Sequence, residues 1–183
     1  MKESELIKLK YPIGNFEFSD KFIDLDKSNT YLQTIKSFPD KISLLIKENP
    51  RAIGWCYRPD GWNINQIVNH CIDSHTNAML RIKWALTEDN PTIMPYKEKE
   101  WVSMEDADIV YLLESVQYLD LLHRRWCRIL DSLDEDDLAN TYFHPALERE
   151  FTIFEAMALY DWHCKHHYAH AQLCIESRGE YNT

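Results

Sequence analysis

Asp161-Trp162-His163-Cys164-Lys165-His166-His167-Tyr168-Ala169-His170 carries four of the chain's eight histidines. Upstream of it, Thr152 stands three residues before Glu155. In that spacing each side chain can take up the other's backbone N–H at a helix start. Downstream, Gly179 follows at the position where helices commonly stop. The pattern predicts one helix from Thr152 to about Ser177. Along it Ala156, Tyr160, His163, His167, His170 or Ala171, and Cys174 share one face, so histidines continue an otherwise apolar stripe. His163 and His167 lie one turn apart, with about 5–6 Å between Cβ atoms. That is close enough for two imidazoles to reach one metal ion.

Three more helices are expected ahead of this one. Asn29 to about Glu48 carries Tyr31, Ile35, Phe38, Ile42, Leu45 and Ile46 at helical spacing. Pro39 inside it has no N–H for the backbone ladder and should kink or restart the helix. Asn63 with Gln66 forms the amide version of a capping box, opening a helix from Ile64 to about Leu86. One side of that helix is apolar, through Ile64, Ile67, Cys71, Ala78 and Ile82, and beside it runs a polar stripe of His70, Ser74, Asn77 and Arg81. Asp108 to Leu133 is the third, with a spine from Val110 and Leu113 through Leu119, Leu122 and Trp126 to Leu133. Residues 1–27 look irregular, 88–101 form a loop, and a single helical turn at Glu135–Leu138 precedes a short hairpin or loop around Tyr142-Phe143-His144-Pro145. Four long amphipathic helices imply an all-α protein, an antiparallel four-helix bundle, as a single domain over residues 1–183.

Composition narrows the function. Only 4 glycines among 183 residues disfavours a β-sandwich, and 13% aromatic residues excludes disorder. A formal charge of -10 with no basic stripe leaves nucleic acid an unsuitable partner. The 5 cysteines, without a C-x-x-C, read as small buried hydrophobes in a reducing compartment. No signal-peptide core opens the chain and no apolar run approaches a membrane span. A soluble, cytoplasmic protein is expected.

The metal reading competes with a plainer one, in which the histidines are surface residues or hydrogen-bonded core residues. Two considerations favour metal. Unpaired imidazoles on a core-facing stripe are costly to desolvate. A third imidazole, His70, sits on another helix at comparable depth, and three histidines with an open position is the plan of a catalytic zinc site. His166 and His170 make a competing pair on a partly different face, and His170 could also stand behind His167. His75, His123 and His144 read as isolated residues, His144 with a place on a site loop. Cys71 and Cys164 point about 100° away from their histidine neighbours and read as packing residues. Asp73 is a weak candidate for an acid–base group, since a solvated helix side explains it equally well. Glu155 is committed to the helix cap. From the polar stripe, Asn77 and Arg81 are the candidates for binding substrate; Arg81 could pair with a carboxylate or merely form a surface ion pair.

Several separate stretches, in order, resemble the YfiT-like branch of the DinB superfamily. They are Tyr57-Arg58-Pro59-Asp60-Gly61-Trp62, the His70 helix with Asp73-Ser74-His75-Thr76-Asn77 and Arg81, Leu86-Thr87-Glu88-Asp89-Asn90-Pro91-Thr92-Ile93 with Pro95-Tyr96, and Leu159-Tyr160-Asp161-Trp162-His163 with His166-His167 and Ala169-His170. The resemblance covers the chain from Tyr11 onward. It implies a four-helix bundle holding zinc or nickel on three histidines, which fall on His70, His163 and His167. It also implies a cytoplasmic homodimer acting on a small molecule, either as a metal-dependent hydrolase or, as in some relatives, as a transferase of low-molecular-weight thiols such as bacillithiol. Asp60 stands where the family turn usually has glycine, and Asn69 replaces the first of a His-His pair. The reactive species would be water or a thiolate at the open position. A structural metal in a non-enzymatic bundle, with His170 as fourth ligand, is the remaining alternative.

Overall fold

Three of the four long helices begin where a side chain caps them. The computed structural model describes residues 1–18 and 22–182. Asp24 opens α2 (Leu25–Glu48), its carboxylate accepting the N–H groups of Asp26 and Lys27. Asn63 and Gln66 exchange hydrogen bonds of 3.1 and 2.9 Å at the start of α3 (Ile64–Thr87). Thr152 and Glu155 do the same for α7 (Ile153–Ser177), at 2.9 and 3.0 Å. These pairs satisfy N–H groups that the first helical turn leaves without partners. Arg178 at φ +50° and Gly179 at φ +80° end α7 in the left-handed region.

The remaining elements are short. Helix α1 (Glu3–Lys10) lies in the segment expected to be irregular, and α2 begins four residues earlier than its apolar stripe suggested. Between α3 and α5 (Leu112–Leu130) the chain makes the single turn α4 (Glu98–Trp101) and two 3₁₀ turns. Because α5 starts at Leu112, Val110 and Leu113 face outward; the buried spine runs through Leu112, Leu119, Leu122, His123 and Trp126. The turn α6 (Glu135–Ala139) leads into a hairpin, β1 (Thr141–His144) against β2 (Arg149–Thr152), with Tyr142 opposite Phe151.

The helices form the expected four-helix bundle, with a particular chain path. α2 packs between α7 and α5, and α3 between α5 and α7, so the consecutive helices α2 and α3 lie diagonally opposite. Ser28 reaches Met157 and Tyr31 packs on Phe154, which makes α2 and α7 parallel. Asn69 meets Ser115 and His75 meets His123, so α3 and α5 are also parallel. Across the other two interfaces the helices are antiparallel: Ser74 meets Tyr160, and the Trp62 carbonyl meets Cys174; His123 meets Ile35, while Asp40 and Ser43 face Val116 and Gln117. The chain thus runs up, down, down, up. The long segment 88–111 carries it back between the two parallel neighbours, as a crossover must. No helix among the described residues is long and apolar enough to cross a membrane.

Pro39 does not restart α2, which continues through it to Glu48. Facing it, the middle of the bundle is built of rings rather than aliphatic side chains. His75 is 0% exposed and His123 2%, packed among Phe38, Trp126 and Tyr160. Burial drives the His123 pKa from 6.5 to about 4, with the Ile35 carbonyl opposing the shift, and burial followed by the neighbouring imidazoles holds His75 well below 6.5. The unfolded chain therefore binds protons at mildly acidic pH that the folded chain refuses. Stability is full above pH 6.5 and falls as the pH drops from there towards 4, His123 alone contributing on the order of 3 kcal/mol. Urea unfolding of chelator-treated protein at pH 7.5, 6 and 5 should show the midpoint falling at each step; a midpoint constant over that range would mean that the core imidazoles protonate normally.

Candidate metal centre

Two antiparallel helices supply the three imidazoles. His163 and His167 project from α7 one turn apart, and His70 meets them from α3. Ring centroids are separated by 4.4 Å for His163–His167, 4.7 Å for His70–His167 and 5.2 Å for His70–His163. One nitrogen from each lies within 4.8 Å of the other two. The Nε2 atoms of His70 and His163 are 3.2 Å apart. Nitrogens each about 2.0–2.1 Å from one tetrahedral zinc stand roughly 3.3–3.4 Å apart, so this pair has the spacing of two ligands of one ion.

Their electrostatics suit the same use. Burial, reinforced by the charge His166 would carry, lowers His70 to about 4. Burial and then the neighbouring imidazoles hold His163 and His167 well below the ordinary histidine value. All three are neutral near pH 7, the state in which imidazole binds a cation. The indole of Trp62 covers one side, 4.7 Å from His70 and 6.3 Å from His167. His163 keeps part of its surface exposed, and its Nε2 also lies 3.5 Å from the Ser74 hydroxyl. Tyr160 donates to the Ser74 carbonyl at 3.1 Å. The donor set and its spacing fit one divalent cation.

Two other clusters come near this geometry. Cys71, His75 and His163 converge, but burial raises the Cys71 thiol far above its usual range, and both nitrogens of His75 already face other imidazoles. His166, His167 and His170 also converge. There His170 turns Nε2 to the Lys10 carbonyl at 3.1 Å and stacks on Tyr57, while His166 stacks on Trp162. His170 is thus held by the C-terminal end of α1 and by Tyr57.

The other residues singled out from sequence lie elsewhere. Asp73 and Asn77 face a separate cavity of about 770 Å³ on the outer side of α3, with Trp101, Glu114 and Tyr118. Burial, and then the Asp106 charge, raises the Asp73 carboxyl to about 6. Arg81 is buried on the inner side, beyond Ser74. One of its nitrogens donates to the Met94 carbonyl at 3.4 Å, and Nε has no partner. Burial raises the Tyr160 and Tyr142 phenols and lowers His144; the Arg81 charge opposes the shift of both phenols and adds to that of His144. Glu155 accepts a 2.6 Å bond from Arg149 besides capping α7. Asn69 is absorbed into the core, accepting from Ser115 and donating to the Asn65 carbonyl, each at 3.0 Å. Asp60 adopts φ +53°, a conformation glycine takes without strain.

His75 and His123, taken from the sequence as isolated, are neither isolated nor peripheral. His75 Nε2 faces His163 Nδ1 at 3.0 Å, and His75 Nδ1 faces His123 Nε2 at 2.7 Å. The available signal was their register. His75 follows Cys71 by one turn on the apolar face of α3, and His123 follows Leu119 by one turn on that of α5.

Known proteins resemble this chain in sequence and in fold. A family model described as the DinB superfamily matches residues 43–171. A Bacillus cereus (strain B4264) protein named "Putative metal-dependent hydrolase" is 39% identical over 163 residues, which is 88% of this chain and 92% of the relative. A Bacillus anthracis relative of the same name matches with the same identity and coverage. A solved structure, described as YfiT from Bacillus subtilis, "a probable metal-dependent hydrolase with an unusual four-helix bundle topology", superposes with a TM-score of 0.88 at 31% identity, over 94% of this chain and 98% of that one. The matched segment runs from within α2 to the histidines of α7, and by that match and this superposition the chain belongs to the DinB superfamily as a YfiT-like member.

Proposed function

We propose that the chain is a metal-dependent enzyme in which His70, His163 and His167 hold one divalent cation, zinc or nickel, and that its reaction is hydrolysis of a small-molecule substrate. The observation carrying this reading is the convergence of three neutral imidazoles from two helices, with their nitrogens within 4.8 Å. Neutral imidazole donors suit zinc and nickel alike. A cation so held polarises a substrate oxygen and makes a bound water more acidic.

The chain's own residues supply position and exclusion. Trp62 keeps solvent from one side of His70 and His167. Ser74 and Tyr160 present hydroxyls beside His163. Arg81, with its buried Nε unpartnered, is placed to receive a substrate carboxylate beyond them. Asn77 faces the outer cavity, and a substrate role for it requires a group that reaches around α3.

One observation favours thiol transfer as a second reading. Among the described residues no carboxylate belongs to any of the metal-competent clusters, and Asp73 opens on the far side of α3. Hydrolysis gains from a base that takes the proton of water; a low-molecular-weight thiol is acidic enough to be used as thiolate without one. The His170 contact with Lys10 speaks against a fourth protein ligand and hence against a purely structural metal. A cytoplasmic homodimer remains part of the proposal, and sedimentation of the purified chain at twice the monomer mass is its expected outcome.

Metal analysis should find one equivalent in the wild-type chain after reconstitution and none in His163→Ala; equal content in both would move the site elsewhere. For the reaction, the reconstituted chain is assayed on an electrophilic chromogenic substrate with and without a panel of small thiols. Hydrolysed product with metal alone is the expected result. Conjugate that forms only when metal and thiol are both present would replace hydrolysis by thiol transfer.

A further inference from the structure

His163, His75 and His123 stand in file across the middle of the bundle, and the file ends on a backbone oxygen. His163 Nδ1 is 3.0 Å from His75 Nε2, His75 Nδ1 is 2.7 Å from His123 Nε2, and His123 Nδ1 is 2.7 Å from the Ile35 carbonyl. Only the last contact has a polarity fixed by chemistry. A carbonyl oxygen accepts and cannot donate, so His123 carries its proton on Nδ1.

A neutral imidazole has one N–H and one lone pair, so this end condition propagates. His123 Nε2 is a lone pair and must receive the Nδ1–H of His75. His75 Nε2 is then a lone pair and receives the Nδ1–H of His163. His163 is left with an unprotonated Nε2, the atom 3.2 Å from His70 Nε2. The file works only while its members are neutral, and with His75 and His123 0% and 2% exposed a charge there would lose its hydration.

The acceptor at the end of the file has its own origin. In an α-helix the carbonyl of one residue accepts the N–H four positions on. Four positions after Ile35 stands Pro39, which has no N–H. α2 passes through Pro39 unbroken, so the Ile35 carbonyl lies inside the helix without its usual donor. A buried carbonyl left that way is costly, and the His123 N–H satisfies it.

We propose that Pro39, by freeing the Ile35 carbonyl, sets the tautomer of His163 through His123 and His75, so that His163 presents an Nε2 lone pair in advance of any ligand. His75 and His123 are positioning residues. The tautomer follows from hydrogen bonding alone; its consequence for metal binding rests on the reading of His163 as a ligand.

Long-range ¹H–¹⁵N correlation spectra of the histidine-labelled, metal-free full chain at pH 8 read the tautomers directly. Protonated Nδ1 and bare Nε2 are expected at all three residues. His75→Leu removes both the acceptor and the donor; a folded variant should show His163 in mixed tautomers and bind Co(II) or Zn(II) about 10- to 100-fold more weakly. His75→Gln, which keeps one donor and one acceptor, should recover most of that loss. Pro39→Ala returns an N–H to the Ile35 carbonyl, and should shift the His123 and His163 tautomers in the same direction without altering helix content. A wild-type His163 protonated on Nε2 would overturn the proposal, as would a folded His75→Leu with unchanged tautomer and affinity. Unchanged tautomers in Pro39→Ala would overturn the part assigned to the proline. Should His75→Leu fail to fold, the wild-type and Pro39→Ala spectra decide. Protonated Nδ1 at His163 in a chain that binds neither Co(II) nor Zn(II) would uphold the relay and overturn the metal reading alone.

Discussion

Imidazoles buried in the middle of a helix bundle can stay there only if they stay neutral, because a charged ring would lose its hydration and find no counter-ion. Neutrality brings a second requirement: each ring has one proton to donate and one lone pair to fill. In this chain both requirements meet in one place. His163, His75 and His123 satisfy each other in sequence, and the chain of bonds terminates on the Ile35 carbonyl. The bundle's core, the candidate metal centre and the proline in α2 are therefore parts of one hydrogen-bonding problem with one polarity.

The chain path follows from what that arrangement needs. For His70 and Ser74 on α3 to meet His163 and Tyr160 on α7, those helices must be antiparallel neighbours. His75, on the other side of α3, must at the same time reach His123 on α5, and His123 must reach Ile35 on α2. Four helices in simple up-and-down order would bring α2 beside α3. Here α2 and α3 lie diagonally opposite, and the segment 88–111 lets α5 run parallel to α3. That same segment brings Met94, with its carbonyl on Arg81, over the polar stripe.

Much of this was legible from periodicity. The four helices, the capping pairs Asn63–Gln66 and Thr152–Glu155, and the pairing of His163 with His167 follow from spacings of three and four residues, while His70 is singled out by its depth on another helix and by the family resemblance. Those features are local, or involve side chains of unusual chemistry on an otherwise apolar stripe. The α1 helix was missed because its eight residues bury no side chain, so no apolar periodicity marks it. The order of helices around the bundle was not legible, since a stripe says which face is buried and not which neighbour covers it. Asp73 and Asn77 share a helix with His70, yet line the outer cavity: at about 100° per residue they lie to one side of His70, roughly 60° and 20° round the axis, while Ser74 and Arg81 lie to the other.

Pro39 shows the limit most clearly. Read locally, a proline within a helical pattern removes a hydrogen bond and should interrupt the helix. What the rule leaves out is the other half of the lost bond, the carbonyl four residues earlier, which becomes an acceptor available to anything packed against the helix. On a solvent-facing turn water would take it. On the buried face of α2 it faces α5, where the residue at that level is His123 rather than an aliphatic. A leucine at 123 would leave the carbonyl unsatisfied, and an alanine at 39 would give the histidine a rival donor. The helix defect and the core histidine each look unfavourable alone, and each removes the other's cost. Their pairing also has a direction, since a carbonyl can only accept, and that direction carries through two more rings to the nitrogen that faces His70.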